Sequence, residues 1–379
     1  MKKHLLCLFA FALLLTALVC VAAAEPVTTR ITDIAKYGNL VLDITGADLF
    51  DQGYSYGDLL EVTILDQEWV LPLGSNYSDV DSGLPVLRAA SAGEAAVLAI
   101  NMGDFASAAG IAVKSRTEEE PGYRWDYLTQ TPVQVQIALT QKDGYRDQWL
   151  IHQLSRTDER TDYPHLSDEA FANFRVIDTP GMGKDTLYRS SSPINPEIGR
   201  SAYADDAARN AGIVTVVNLA DASNTYEGTE SAYYQTCQVV YLNLGLDFTA
   251  DDFRENLAKG LRFIIDGEAP YLLHCNEGKD RAGFASALLE CLMGASIDDV
   301  VDDYMESYAN YYGVEPGSEK YDAVVSSNII KTLSTAFRTE DVYQADLAAE
   351  AEAFLTEDLG LSAGEVSTLR RKLGADTRN

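Results

Sequence analysis

The chain has 379 residues, enough for two folded domains, and its 46% hydrophobic and 23% charged content is typical of a globular protein rather than a disordered one. The formal net charge is −29, with 58 acidic residues against 29 basic ones. This surplus excludes nucleic acids and anionic membrane surfaces as general partners, because both are negatively charged. A polyanionic substrate would have to be attracted by a local positive site.

Residues 1–24 are predicted to be a signal peptide. Lys2 and Lys3 precede an apolar segment from Leu5 to Val21, and three alanines follow it. This order is typical of a cleaved export signal. A retained membrane anchor is the alternative, but the short apolar run and the polar residues after it favour cleavage. We therefore expect a secreted or otherwise extracytoplasmic protein with no integral membrane segment after signal cleavage.

Residues 25–160 are predicted to form a small, mostly-β domain of unknown role. Apolar or alternating runs lie between turn residues, as in strands. Gln141–Gly144 predicts a hairpin turn, and Gln148–Ile151 its return strand. The polar and charged stretch from Arg156 to Pro164 predicts either an inter-domain linker or one long loop. The predicted strands are Leu40–Ile44, Leu59–Leu65, Ala96–Ile100 and Val133–Leu139.

Residues 165–379 change to an α/β pattern, in which short apolar strands alternate with helices. This alternation predicts a central, mainly parallel sheet flanked by helices. Ligands of such sheets bind beyond the carboxyl ends of the strands, where the loop after His274 would lie. The predicted strands are Arg175–Ile177, Ile213–Val217, Val239–Leu242 and Leu272–His274, and the predicted helices are Ala202–Ala211, one capped by Thr249 and one after Arg281.

The loop after His274 carries the clearest chemical signal. Cys275 follows the strand directly, five residues intervene, and Arg281 opens a helix. Backbone N–H groups of a tight loop and a helix N-terminus bind oxyanions, and the same field favours a thiolate over a thiol. The planar guanidinium of Arg281 can donate to two phosphate oxygens at once. A nucleophile, an anion site and a cation at this spacing predict phosphoryl transfer through a phosphocysteine.

The His-Cys-five-residues-Arg signature resembles the cysteine-dependent phosphatases of the protein tyrosine and dual-specificity superfamily. Its Gly-Lys-Asp-Arg ending is similar to that of the bacterial tyrosine/lipid phosphatase branch. Three further segments resemble this branch in the same order, namely Tyr188–Ser191, Gly212–Asp221 and Phe354–Leu369. The resemblance runs from about Phe171 to the end and implies a bacterial phosphoric monoester hydrolase, a protein-tyrosine-phosphatase-like enzyme. No cofactor is expected, and no metal, because the histidines after residue 24 lack ligand-like spacing.

The resemblance assigns roles to individual residues. Cys275 would be the nucleophile and Arg281 the phosphate clamp, while His274 would orient the loop and lower the pKa of the thiol. Two residues are candidates for the acid that protonates the leaving oxygen, Asp247 in an upstream loop and Asp280 in the loop itself. Both stay open, with Asp247 slightly favoured because a mobile loop can close over substrate. The predicted phosphate-binding residues are Asn276, Glu277, Gly278, Lys279, Asp280 and Arg281.

Two residues depart from the family pattern. Ala282 stands where the family usually has Ser or Thr, whose hydroxyl helps to release the thiolate from phosphocysteine. Glu277 puts a negative charge into an anion-binding loop, where it would either point outward or pair with Lys279. Both departures argue for reduced turnover, but neither removes the nucleophile or the clamp.

The expected substrate is phosphotyrosine in a phosphorylated protein, or a phosphoinositide. Lys279 could supply a cation for extra phosphates, and Arg189 and Arg200 could supply others if they fold over the site. A cysteine phytase that acts on inositol phosphates is the alternative enzyme. A weakly active phosphate-binding module, with the β-domain as its working part, is the alternative from another class.

The β-domain carries a resemblance of its own. Tyr37–Leu40, Gly57–Asp58 and Asn101–Asp104 are similar to segments of the small β-domain of adenosylmethionine hydroxide adenosyltransferases. The nucleotide site of those enzymes would need a partner domain that this sequence lacks, so no activity is carried over. A role in substrate presentation or attachment is expected instead.

Overall fold

The computed structural model describes residues 25–90, 93–223 and 232–374. The chain forms two compact units that divide between Tyr145 and Arg146. This division lies before the charged stretch that the sequence predicts as a linker, because the helix at Arg146–His152 belongs to the second unit. Among the described residues, no helix combines the length and the apolar character needed to cross a bilayer.

The first unit is a closed barrel of seven strands in the order β1-β2-β6-β5-β4-β3-β9, with a separate hairpin of β7 and β8. Alternate residues of its strands face a core that includes Leu40, Leu60, Val62 and Ile137. The four strands predicted from the sequence are confirmed. The elements are β1 (Val27–Ile34), β2 (Leu40–Thr45), α1 (Gly46–Asp51), β3 (Leu59–Ile64), β4 (Gln67–Gly74), β5 (Pro85–Arg88), β6 (Ala95–Ile100), α2 (Phe105–Ala108), β7 (Ala112–Arg116), β8 (Tyr123–Tyr127) and β9 (Gln134–Gln141).

The predicted return strand at Gln148–Ile151 is wrong. These residues lie in a helix, α3 (Arg146–His152), whose Arg146 pairs with Glu319 at 2.9 Å. A four-residue apolar pattern does not distinguish a strand from a helix turn, and here contacts with a distant helix decide the outcome.

The second unit is a mixed α/β structure around a five-stranded sheet. The strand order is β10-β11-β14-β12-β13. The pairs β11–β14, β14–β12 and β12–β13 are parallel, and β10 is antiparallel to β11. The strands are β10 (Arg175–Val176), β11 (Leu187–Ser190), β12 (Thr215–Asn218), β13 (Gln238–Tyr241) and β14 (Tyr271–His274).

Helices cover both faces of this sheet. Neighbouring strand residues point to opposite faces, so Leu273 packs into one hydrophobic core and Leu272 into the other. The helices are α4 (Asp168–Phe171), α5 (Ser201–Ala211), α6 (Asp251–Asp266), α7 (Asp280–Met293), α8 (Ile297–Tyr312), α9 (Glu319–Val324), α10 (Lys331–Phe337), α11 (Leu347–Ala353) and α12 (Ala363–Leu373), with π-helical turns at Val325–Ile330 and Phe354–Asp358.

Candidate active site

The candidate site is the loop between the central strand β14 and helix α7. Cys275 is the first residue after the strand and is buried. The loop lies at the carboxyl ends of parallel strands, because β14 pairs in parallel with β11 and β12. Asp280 and Arg281 form the first turn of α7, where the helix dipole favours negative charge.

The loop turns sharply at Gly278, which has a φ of +69°. A Cβ atom at this position would lie 2.2 Å from the carbonyl oxygen of Ser190. Both the positive φ and this close approach require glycine. The loop therefore sits directly against the end of β11.

Hydrogen bonds to its carbonyl groups hold the backbone of the loop in place. The Asn276 carbonyl accepts from the Ser192 N–H at 3.0 Å, and the Glu277 carbonyl accepts from the Tyr311 hydroxyl at 2.9 Å. Among the residues that the structure describes, the N–H groups of residues 276–279 make no hydrogen bond. These free donors and the N-terminus of α7 together are suited to bind an oxyanion.

Arg189 is the main support beneath the loop. It is fully buried and donates to the carbonyls of Gly278 at 2.7 Å and Lys279 at 3.0 Å. It also pairs with Asp303, which a second arginine, Arg175, contacts at 2.7 Å. Desolvation acts to raise the pKa of Asp303, but Arg175 and Arg189 outweigh it and lower the pKa to about 2. Asp303 is therefore ionised and carries a negative charge beneath the loop.

Arg281 keeps donors available for a ligand. Its Nη1 donates to the Leu244 carbonyl at 3.0 Å, which orients the guanidinium. Its Nε is buried and, within the described part of the chain, has no hydrogen-bond partner. A buried donor without a partner costs about 1–3 kcal/mol, a cost that a phosphate oxygen would remove.

The other two described cysteines, Cys237 and Cys291, are poor nucleophiles. Burial raises the pKa of both thiols, that of Cys291 to about 12. None of the three cysteines forms a disulfide. Only Cys275 lies in a loop with free backbone donors and a helix N-terminus, where a thiolate is favoured. In residues 25–90, 93–223 and 232–374, no group of His, Cys, Asp or Glu is arranged to hold a metal ion.

His274 is fully buried and neutral. Burial lowers its pKa to about 3. The Tyr234 hydroxyl lies 3.1 Å from its Nε2, and its Nδ1 lies 3.4 Å from the Cys275 carbonyl. A proton on Nδ1 satisfies both contacts, with the tyrosine as donor to Nε2. His274 can therefore orient the loop as the resemblance implies, but it carries no charge to act on the thiol.

A cavity of about 370 Å³ opens beside the loop and includes Asp280 and Arg281 in its lining. One part of its wall is apolar, formed by Leu246, Phe248, Phe253 and Phe284. The lining also includes polar residues, among them Asn328 and Lys331, from the π-helical turn and α10. A group bonded to a phosphate in the loop could extend into this cavity.

The two candidate acids differ in position and in pKa. Desolvation raises the pKa of Asp280, although 49% of its side chain is exposed, and the residue lines the cavity. Asp247 is exposed, and its Oδ1 accepts from the Thr249 hydroxyl at 2.6 Å, which lowers its pKa. Although Leu246 and Phe248 line the cavity, Asp247 between them does not.

Thr249 is not the N-cap of α6, contrary to the sequence prediction. The helix begins at Asp251, with Ala250 at the cap position. The Thr249 side chain donates to Asp247 instead of accepting from the helix. The two residues form a local turn before the helix, which is a structural use of the Asp247 carboxylate.

Glu277 pairs with Lys279 at 3.1 Å, one of the two arrangements that the sequence leaves open. A second cation, Arg156, lies 2.7 Å from its other carboxylate oxygen. Desolvation acts to raise the pKa of Glu277, but Lys279 and Arg156 outweigh it, and the pKa is lowered. Glu277 is therefore ionised within the anion-binding loop.

Two other arginines do not face the site, contrary to the sequence hypothesis. Arg189 lies beneath the loop as described above, and Arg200 is fully buried between the rings of Phe171 and Tyr311, each about 4.1 Å from its guanidinium. Among the described residues Arg200 forms no salt bridge, and the two aromatic faces explain its burial because they attract a desolvated guanidinium. Ala282 is also fully buried, in the first turn of α7.

Comparison with known proteins identifies the family of the second unit. Residues 155–375, more than half of the chain, match the tyrosine phosphatase family. The chain belongs to this family. The match begins inside the second unit and includes the whole sheet, the loop and helices α4 to α12. Residues 29–118 match a different family, the C-terminal domain of SAM hydroxide adenosyltransferases, to which the barrel is similar.

Individual relatives of this tyrosine phosphatase family member are distant or partial. A protein of Cupriavidus necator, provisionally named a tyrosine-protein phosphatase, is 42% identical over 55 residues, which are 14% of this chain and only 20% of that protein. The structure of Pseudomonas aeruginosa TpbA with phosphotyrosine shares 18% identity and covers 45% of this chain and 92% of its own, with a TM-score of 0.29. The catalytic core of the PP-IP phosphatase Siw14 from S. cerevisiae shares 17% identity. It covers 43% of this chain and 91% of its own, with a TM-score of 0.27.

Sequence reasoning missed several residues that shape this loop. Arg156 was assigned to a linker, and Asp303 was not singled out at all. One signal was present, since Tyr304, Tyr308 and Tyr311 recur at helical spacing and mark one face of α8. In the structure all three side chains are buried beside the loop region.

Proposed function

We propose that this protein is an exported phosphomonoesterase that acts through a phosphocysteine on phosphotyrosine or a phosphoinositide. One observation carries the proposal, the loop from Cys275 to Arg281, which has free backbone N–H groups and lies between a buried parallel strand and a helix N-terminus. Cys275 attacks phosphorus, the leaving oxygen departs, and the loop donors with Arg281 stabilise the oxygens of the transferring group. Water then hydrolyses the phosphocysteine.

Asp280 is the proposed general acid. Its raised pKa favours the protonated form that an acid needs, and it lines the cavity into which a leaving group would extend. Asp247 is held by Thr249 in the ionised form that its lowered pKa favours. The apolar cavity wall of three phenylalanines suits an aromatic leaving group such as tyrosine.

The test is phosphate release by residues 25–379 under reducing conditions, with phosphotyrosine peptide, a phosphoinositide and phytate as substrates. Cys275→Ser should abolish release, because a hydroxyl in this loop is a far weaker nucleophile than a thiolate. Cys237→Ser is the matched control and should retain it. Binding of phosphate without release would indicate the binding module, and preference for phytate would indicate the phytase.

Export through residues 1–24 is a separate part of the proposal. These residues lie outside the described part of the chain, and the support is their basic start, apolar run and small residues. When the full chain is produced in a bacterial host, N-terminal sequencing of the exported protein should begin at Glu25. Recovery of only the uncleaved chain inside the cells would contradict export.

A further inference from the structure

Glu277 lies at the centre of a partly buried ion-pair cluster on the loop. Its two carboxylate oxygens contact Arg156 at 2.7 Å and Lys279 at 3.1 Å. The three side chains are only 25%, 18% and 13% exposed in the order Glu277, Arg156, Lys279. Solvent therefore screens these contacts less than it screens a surface salt bridge.

Lys279 also contacts helix α8. Its Nζ donates to the Tyr312 hydroxyl at 3.1 Å and lies 5.1 Å from the centre of the Tyr308 ring. The ammonium group also lies 3.8 Å from the Asp280 carboxylate, so it has two carboxylates, a hydroxyl and an aromatic face around it. Glu277, at 3.1 Å, is the nearer of the two carboxylates, and a phosphate that recruited Lys279 would have to displace it.

This cluster changes the charge that a substrate meets. Two cations on or beside the loop, Lys279 and Arg156, both contact the Glu277 carboxylate. Lys279 also lies 3.8 Å from Asp280, and Arg156 lies 3.3 Å from Asp158. Arg281, in contrast, makes no ion pair among the described residues. One phosphate group needs Arg281 and the backbone donors. A second phosphate would need a further cation, and it would approach the negative charge of Glu277 in a protein whose net charge is already −29.

We infer that Glu277 is a specificity-determining residue, which holds Lys279 and Arg156 so that the site accepts esters with a single phosphate and disfavours polyphosphorylated ones. The inference rests on the proposed phosphomonoesterase function. It concerns the number of phosphates on the substrate, and not the chemistry of the loop. Selectivity here would come from the repulsive charge of Glu277 as much as from the attractive charge of Arg281.

The test compares kcat/KM for a phosphotyrosine peptide and for phytate in the wild type and in Glu277→Gln. Glutamine keeps the shape of the side chain and removes its charge. The ratio of phytate to phosphotyrosine should rise about tenfold, the effect of one added charge-assisted contact. Glu315→Gln, which removes one exposed negative charge from the same unit, should leave the ratio unchanged.

A double variant identifies the cation that is released. In Glu277→Gln with Lys279→Met, the ratio should return toward the wild-type value, because the freed ammonium is gone. Thermal unfolding would confirm that each variant is folded. Glu277→Ala, which removes the carboxylate by a different substitution, should shift the ratio in the same direction. An unchanged or lower ratio in folded Glu277→Gln and Glu277→Ala would overturn the inference.

Failure of the proposed function would look different. Wild-type protein would then release no phosphate from any substrate in a Cys275-dependent manner. The inference would still be tested by calorimetry, as the ratio of the affinities for phytate and inorganic phosphate. A tenfold rise of this ratio in Glu277→Gln would support it, and no rise would overturn it.

Discussion

At the scale of single residues, two carboxyl groups of one type acquire opposite properties from their surroundings. Desolvation raises the pKa of Asp280 at the start of α7, whereas hydrogen bonds from Thr249 lower the pKa of Asp247. A general acid must hold a proton at the pH of the reaction. The same residue type is therefore suited to catalysis at one position and to a turn at the other.

Replacement of these residues should distinguish them. Asp280→Asn should lower kcat for phenyl phosphate about 10²- to 10³-fold, because the phenolate leaves without a proton donor. The loss should be smaller for p-nitrophenyl phosphate, whose leaving group needs no proton. Asp247→Asn is the control and should change both substrates alike and by little. The opposite pattern, with leaving-group dependence only in Asp247→Asn, would assign the acid to Asp247.

The pH dependence of the wild type follows from the same shift. An acid works only when protonated, so activity should fall as the pH rises through the pKa of Asp280. Because this pKa is raised, the fall should lie at higher pH than for an ordinary aspartate. A kcat profile with phenyl phosphate measures it, and Asp280→Asn should abolish the basic limb. A basic limb that persists in this variant would exclude Asp280.

At the scale of elements, the loop is shaped by β11 and α8 rather than by its own sequence alone. Arg189 on β11 binds two loop carbonyls, and Tyr311 on α8 binds a third. Because carbonyl and N–H groups alternate along a backbone, fixing the carbonyls also orients the N–H groups that would bind phosphate. Preorganised donors of this kind stabilise charge without rearranging during the reaction.

Arg189→Lys should therefore impair the loop while retaining the positive charge. Lysine lacks the planar fork and cannot reach both carbonyls and Asp303 at once. We expect kcat/KM to fall about 10²-fold and the unfolding free energy by about 1.5–3 kcal/mol, the worth of a lost charge-assisted hydrogen bond. Arg209→Lys on the exposed side of α5 is the matched control. Unchanged affinity for vanadate, a phosphate analogue, in Arg189→Lys would contradict this role.

At the scale of the whole molecule, one buried carboxyl group links stability to pH. Glu290 on α7 is fully buried, and its carboxyl group lies within hydrogen-bond reach of the Asp303 carboxylate, to which its protonated form can donate. Burial, with the nearby charge of Asp303, raises its pKa well above the ordinary value. Glu290 therefore stays protonated in the fold, while Asp303 carries the charge.

The sign of the pH effect follows from this raised pKa. Above about pH 4.5 the unfolded chain releases a proton from Glu290 that the folded chain retains, so stability falls as pH rises, by about 1.4 kcal/mol per unit, until the folded pKa is reached. Glu290→Gln has no such proton. Its melting temperature should rise relative to the wild type as the pH increases above about 4.5. Exposed Glu255→Gln should show no such trend, and a difference that is constant with pH would refute the assignment.

The sequence alone was sufficient where the determining interactions are local. Within a dozen residues the chain contains a buried strand, Cys275, a tight loop with Gly278, and Arg281 at a helix start. Four of the seven barrel strands, β2, β3, β6 and β9, were also predicted, since alternation of apolar residues indicates burial on one face. The α/β character of the second unit followed from the same periodicities.

Only the tertiary structure decided which distant residues meet at the loop. Arg156, Arg189 and Asp303 are separated along the chain, and a single sequence contains no signal that brings them together. The protonation state of a carboxyl group likewise depends on burial and on neighbouring groups. Asp247 and Asp280 show this, because the pKa of the first is lowered and that of the second is raised. Spacing along a chain reflects local backbone geometry, whereas electrostatics and long-range packing depend on the assembled fold.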